Sequence, residues 1–209
     1  STYKAANSVG GNMNKNISEI INAAIEKELP DLVFKNAKII DVFSLEVIDG
    51  DIAVLDDMII GIGKYHNAKK VIDLKGKFVS PGLIEAHVHI ESSLIIPENF
   101  STVLLKHGIT TAVIDPHEIA NVMGIDGIRY MIDSTENTEL DIFVMLPSCV
   151  PSTPYESSGA VLRAADLKNF YSHPRVLGLG ELMNYPGLLD SDADLLQKIL
   201  DAKSFTLSV

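Results

Sequence analysis

The sequence predicts an α/β chain: a small β-rich domain, then four βα units that make the first half of a (β/α)8 barrel. Three observations predict it. Short apolar segments punctuated by turn residues fill the stretch from Asp31 to Ser80. Strand, loop and helix patterns then alternate four times, which argues for a parallel sheet with right-handed crossovers. After Ser80 only about 130 residues remain before Val209, about half of the roughly 250 that a closed barrel takes.

Residues 1–12 read as a tag or vector remnant ahead of Met13, and residues 13–30 as an N-terminal helix. Ile17, Ile20, Ile21, Ala24 and Ile25 share one helical stripe, and Pro30, which has no backbone N–H to donate, is expected to end the helix. In residues 31–80 the β segments are Leu32–Phe34, Lys38–Ile40, Val47–Ile48, Ile52–Val54, Met58–Ile60, Val71–Leu74 and Phe78–Val79. Asp49-Gly50-Asp51 has the composition of a tight hairpin turn. Residues 81–209 hold the partial barrel. Its strands are expected at Leu83–Ile90, Thr110–Ile114, Ile142–Leu146 and Val176–Leu179. Its helices are expected at Pro97–His107, Ile119–Ser134, Ala160–Tyr171 and Asp192–Ala202. Since a fifth strand is due where the chain stops, the barrel is expected to be truncated and the chain alone inactive.

Composition narrows the function. At 46% hydrophobic and 22% charged, the chain is ordinary globular material. Nothing approaches the roughly 18 consecutive apolar residues of a membrane span, and the first dozen residues lack the basic and apolar regions of a secretory signal. A formal net charge of −11 argues against a nucleic-acid polymer or an anionic membrane as partner. It leaves an uncharged small molecule open. The one cysteine, Cys149, excludes an internal disulfide and a multi-cysteine zinc site, and fits a reducing cytoplasm.

The sharpest chemical feature is His87-Val88-His89 at the end of the first barrel strand. Residues two apart on a strand share a face, about 6.5–7 Å apart, so two imidazoles can converge on one metal ion. Four further carboxylates and a histidine stand at or after strand ends: Glu91, Asp115, His117-Glu118 and Glu181. Barrel enzymes place their functional groups there. Glu181 can also be read as a carboxylate favoured by a helix dipole, and Asp115-Pro116 as plain turn chemistry. His117-Glu118 opens a His-Glu-x-x-His pattern that fails at Asn121. The nucleobase-deaminase zinc pattern fails for want of cysteines. Gly178-Leu179-Gly180 lacks the third glycine of a dinucleotide loop. His66, His107 and His173 match no motif, and Cys149 reads as a non-catalytic thiol.

The stretch Ser80-Pro81-Gly82-Leu83-Ile84-Glu85-Ala86-His87-Val88-His89 resembles the signature of the amidohydrolase superfamily. His89-Ile90-Glu91-Ser92-Ser93, Asp115-Pro116-His117-Glu118-Ile119-Ala120-Asn121-Val122 and Gly178-Leu179-Gly180-Glu181-Leu182-Met183-Asn184-Tyr185-Pro186-Gly187 resemble the adenine deaminases within it. The resemblance implies an amidohydrolase barrel preceded by a small β domain, and a divalent, dinuclear metal centre of Mn2+ or Fe2+, with Zn2+ a further option. His87, His89 and Glu181 would be metal ligands, Glu181 standing where many relatives use a carboxylated lysine to bridge two cations. Glu181 and Glu118 would be the catalytic carboxylates of these residues. For Glu91, Asp115 and His117 two roles stay open, holding a ligating histidine or binding an additional metal, and His117 and Glu118 could also touch substrate. The implied reaction is hydrolytic deamination of adenine to hypoxanthine and ammonia by a metal-activated hydroxide. In related enzymes the other ligands are histidines after strands five and six and an aspartate after strand eight, the last also acting as the proton shuttle, and none of these positions is among these 209 residues. The implied partner is a small purine, and the full-length enzyme is expected to be a homo-oligomer. The alternatives are a cyclic-amide hydrolase of the dihydroorotase or hydantoinase type, and a non-catalytic binding module derived from a barrel.

Overall fold

The computed structural model describes residues 17–206. The expected tag remnant at 1–12 and start at Met13 lie outside the described residues. The fold divides after Pro81 into two compact units.

In the first unit, helix α1 (Ile17–Ala24) buries Ala23 and stops well before Pro30. Two residues past its end the backbone turns left-handed at Glu26, with φ 57°. The Glu26 carboxylate sits 2.7 Å from His66 Nδ1 and accepts the backbone N–H groups of His66 and Asn67. Those bonds, the His66 side chain foremost, hold its pKa down at about 2. Strand β1 (Leu32–Asp41) is one strand of ten residues where the pattern suggested two, because a bulge between Phe34 and Ala37 absorbs the intervening polar pair. With β2 (Glu46–Leu55), β3 (Met58–Gly63), β4 (Lys70–Asp73) and β5 (Phe78–Val79) it forms a sheet in the order β3-β2-β1-β4, with β5 also on β1. Asp49-Gly50-Asp51 is not a turn. Gly50 pairs with Ala37 inside the β1–β2 ladder, and the chain reverses at residues 42–45. There the Asp41 carboxylate accepts the N–H of Phe43 and both the N–H and the hydroxyl of Ser44. Side-chain satisfaction of that loop outweighs the local turn propensity of Asp-Gly.

The second unit is α/β with a parallel sheet. Strands β6 (Leu83–Val88), β7 (Ile109–Ile114), β8 (Asp141–Leu146) and β9 (Val176–Leu179) lie side by side in that order. Strict alternation is clearest in β8. Ile142, Val144 and Leu146 are fully buried, while Asp141, Phe143 and Met145 turn to the other face. The buried set joins Ile128, Met131 and Ile132 of helix α4 (Ile125–Glu136) in the main core. The other helices are α2 (Pro97–Lys106), α3 (His117–Met123), α5 (Ala164–Leu167), α6 (Tyr185–Leu189) and α7 (Ala193–Thr206). The helix expected over Ile119–Ser134 is two helices, α3 and α4, broken at Gly124 with φ 61°. The one expected from Ala160 begins only at Ala164, since Leu162 is used in a bridge to Val150. Among the described residues no helix is long and apolar enough to cross a membrane.

Because the four strands are parallel, their C-terminal ends fall along one edge of the sheet. Residues 89, 115, 148 and 181 follow these ends in turn.

Candidate metal centre

His87 is on β6, and His89 lies just past its end, ahead of a 3-10 turn at Ile90–Ser93. The strand is one residue pair shorter than expected, yet the two rings still converge. Their Nε2 atoms are 3.2 Å apart and the ring centroids 5.0 Å apart, edge to face. Glu181, two residues past β9, brings Oε1 to 3.4 Å from His89 Nε2 and 3.9 Å from His87 Nε2. Three donor atoms from two strand ends therefore meet in one place. All three side chains keep a solvent-facing part, so the cluster is not simply buried polar packing.

Two loops hold Glu181 by its backbone. Asp115 Oδ2 accepts its N–H at 3.1 Å, and the Ser148 hydroxyl donates to its carbonyl. Gly180 makes room for the first of these bonds. A Cβ there would lie 2.2 Å from Asp115 Oδ2. Beside them Cys149 is buried, and its sulfur accepts the Asn184 N–H at 3.3 Å, which latches the loop after β8 to the loop after β9. Ser148 stands in no motif, and Gly180, though part of the Gly178–Gly187 stretch, had no role assigned to it from the sequence.

A second layer surrounds His89. Glu118 Oε2 lies 3.2 Å from His89 Nδ1, and its other oxygen accepts the Ser92 hydroxyl. Glu91 Oε1 accepts the Ile119 N–H inside α3, and burial raises the Glu91 pKa above the ordinary carboxylate value. Burial by itself would lower the pKa of His89, but Glu118, Asp115 and Glu181 together outweigh it and raise it. Asp115 and His117 are almost fully buried, with Oδ1 and Nδ1 2.5 Å apart. A cavity of about 220 Å³ opens here, lined by His89, His117, Glu118, Asn121, Cys149 and Glu181 among others. Of the remaining histidines, His66 pairs with Glu26 and His173 lies 3.3 Å from Glu136.

The residues fit a divalent cation. His87, His89 and Glu181 offer three ligand atoms within 4.8 Å of one another. Two imidazole nitrogens 3.2 Å apart repel if both present lone pairs, unless a proton or a cation lies between them. Borderline divalent metals take this mixture of imidazole and carboxylate, and a carboxylate has two oxygens with which to reach one ion or two.

Residues 78–207 match the amidohydrolase family model. The chain is 52% identical over 189 residues to the adenine deaminase of Clostridium acetobutylicum, covering 90% of this chain and 33% of that protein. It is 48% identical to that of Geobacillus kaustophilus, covering 90% and 32%. The chain thus spans about a third of the length of these curated relatives. Among solved structures it resembles an N-acyl-D-glutamate deacylase from Bordetella bronchiseptica, complexed with zinc and a phosphonate inhibitor. The TM-score is 0.55 at 18% identity, over 85% of this chain and 44% of that one. A β-aspartyl dipeptidase from Fervidobacterium islandicum AW-1 gives a TM-score of 0.54 at 19% identity, over 86% and 48%. At such identities the likeness concerns the fold alone.

Proposed function

We propose, from the premise that this chain belongs to the amidohydrolase family, that it supplies part of the metal centre of an enzyme deaminating adenine to hypoxanthine and ammonia. The observation that carries the proposal is the meeting of His87, His89 and Glu181 at the ends of parallel strands. The identity of about half to adenine deaminases, across nine-tenths of the chain, supports the substrate. The four-stranded parallel sheet is read as half of a (β/α)8 barrel, with the small β sheet before it a separate domain. The amide chemistry named for the two solved neighbours gives no support to a rival substrate, since 18% and 19% identity bear on fold only.

His87 and His89 would hold a cation through Nε2, and Glu181 through its carboxylate. A divalent ion bound there lowers the pKa of water towards neutrality and makes hydroxide available without a strong protein base. Asp115 and Ser148 fix Glu181 from both sides of its peptide, so its carboxylate keeps its aim. Glu118, fixed by Ser92 and facing the cavity, is placed to keep the His89 ring oriented. It is also the carboxylate of these residues best placed to take a proton from the attacking water and return it to the departing amine. Water adds its oxygen at C6, the exocyclic nitrogen leaves as ammonia, and hypoxanthine remains.

The test is adenine-dependent ammonia release by a Mn2+-loaded polypeptide of the relatives' length that carries these 209 residues. Turnover is expected, and Glu181→Gln should cut it by more than the ~10–100-fold typical of residues that merely support a ligand. Turnover of a cyclic amide with none of adenine would replace this reading. Ready turnover by the 209 residues alone would overturn the view that they supply only part of the centre.

A further inference from the structure

We propose that Asp115, His117 and Asn121 form a second divalent-cation site at the junction of β7 and α3, beside the His87–His89–Glu181 set and separable from it. The inference does not depend on adenine being the substrate.

Its basis is a concentration of buried polar atoms with nothing to bond to. Asp115 Oδ1, both ring nitrogens of His117 and the Asn121 side-chain oxygen are all buried without a hydrogen-bond partner. The Asp115 and His117 side chains are at least nine-tenths buried. Asp115 Oδ1 and His117 Nδ1 face each other at 2.5 Å, yet they are not aligned as a hydrogen bond. The other oxygen of Asp115 is already engaged by the Glu181 N–H. An ordinary buried carboxylate–imidazole pair joins through one N–H and leaves its outer nitrogen to a second partner. This pair does neither. A buried polar atom left without a hydrogen bond is costly, so several in one spot call for a partner. A shared cation satisfies oxygen and nitrogen lone pairs together.

The donor geometry agrees. Asp115, His117 and His89 bring ligand atoms within 4.8 Å of one another. His89, however, already turns Nε2 towards His87 and Glu181. The donor without other duty is Asn121, four residues after His117 and hence on the same face of α3. Both side chains line the same cavity. The His-x-x-x-His spacing that fails at Asn121 as a zinc pattern here offers an oxygen in place of the second nitrogen. One imidazole with two oxygens suits Mn2+ or Fe2+ better than a thiolate-seeking ion.

The experiment is a Mn2+ titration of the 209-residue chain, with bound ion counted by the loss of the free-ion EPR signal. Variants are His87→Ala, His117→Ala and Asp115→Asn, with far-UV circular dichroism to check folding. Asp115→Asn keeps the shape and the acceptor for Glu181, so it stands in should His117→Ala fail to fold. The expected result is one equivalent of Mn2+ that survives His87→Ala and is lost or weakened at least tenfold in both other variants. Mn2+ binding unaffected by Asp115→Asn, or abolished entirely by His87→Ala, would overturn the second site. Neither outcome touches the substrate assay, so the two proposals fail separately.

Discussion

Gly180→Ala is the most revealing single change, because a methyl group there meets one specific obstacle. The new Cβ would stand 2.2 Å from Asp115 Oδ2 and 2.7 Å from its Cγ. An exposed carboxylate would rotate away at little cost, but Asp115 is fully buried and its Oδ2 holds the Glu181 N–H at 3.1 Å. Crowding a packed interior costs about 1–3 kcal/mol, and stranding the amide and carboxylate costs about 1–3 more. The backbone is no obstacle, since Gly180 lies outside the left-handed region, and a glycine-to-alanine change at a compatible site returns about 0.4–1 kcal/mol. The net loss is about 3 kcal/mol, which lowers the melting point of the second unit by roughly 10 °C. The decisive assay is a double-mutant cycle by urea unfolding. In an Asp115→Ala background the same Gly180→Ala change should be neutral or mildly stabilising, leaving a coupling of about 3 kcal/mol. An equal cost in both backgrounds would show that Asp115 is not what the methyl meets, and would remove the argument that these residues fix Glu181.

Lys198 is 5% exposed and donates to the carbonyls of Leu162 at 2.6 Å and Ser148 at 3.1 Å. Lys198→Met should keep the volume yet strand both acceptors, costing about 2–4 kcal/mol in chemical denaturation. Ile142→Ala empties a fully buried position and should cost about 2–5 kcal/mol. Ile84→Ala, on a side chain 66% exposed, should cost under about 1 kcal/mol in the same assay, and equal losses would contradict the assignment of faces. For Glu26 the folded pKa is depressed from the ordinary 4.5 to about 2, through its bond to the His66 side chain above all. Its contribution is therefore complete above the unfolded carboxylate pKa and lost as the pH falls from about 4.5 through 2. Melting of the first unit should show this acid slope, and Glu26→Gln should flatten it.

What the sequence made legible was local. The His87–His89 pair could be read because a two-residue spacing puts side chains on one face. The strand–helix alternation of the second unit could be read because hydrophobic period changes visibly from two to 3.6. Local rules misled where a partner elsewhere decided the outcome. Asp49-Gly50 looks like a turn, but β1 pairs through it and Asp41 supplies the reversal. The helix from Ile119 reads as continuous until Gly124 breaks it. The supports of Glu181 were invisible for the same reason. Asp115 lies 66 residues before it in the chain and Ser148 lies 33 before it, and no pattern within a window of a dozen residues records either contact. Lys198 reaches 36 and 50 residues back to its two carbonyls, beyond any local pattern.

The arrangement explains why site and fold are separable at some positions and not at others. His87 and Glu181 keep nearly half of their side chains exposed and belong to no core cluster among the described residues. Replacing them would remove the proposed ligands while the sheet, held by Ile142, Val144 and Leu146 against α4, stays as it is. Asp115 is different. One of its oxygens secures the peptide of Glu181, the other faces His117, and the whole carboxylate is sealed by Gly180. A buried carboxylate in that position costs desolvation energy, and the partners it faces are Glu181 and His117, so its value lies in what it fixes. Changes at Asp115 and Gly180 must therefore lower stability and metal affinity together, whereas changes at His87 and Glu181 should lower metal affinity alone.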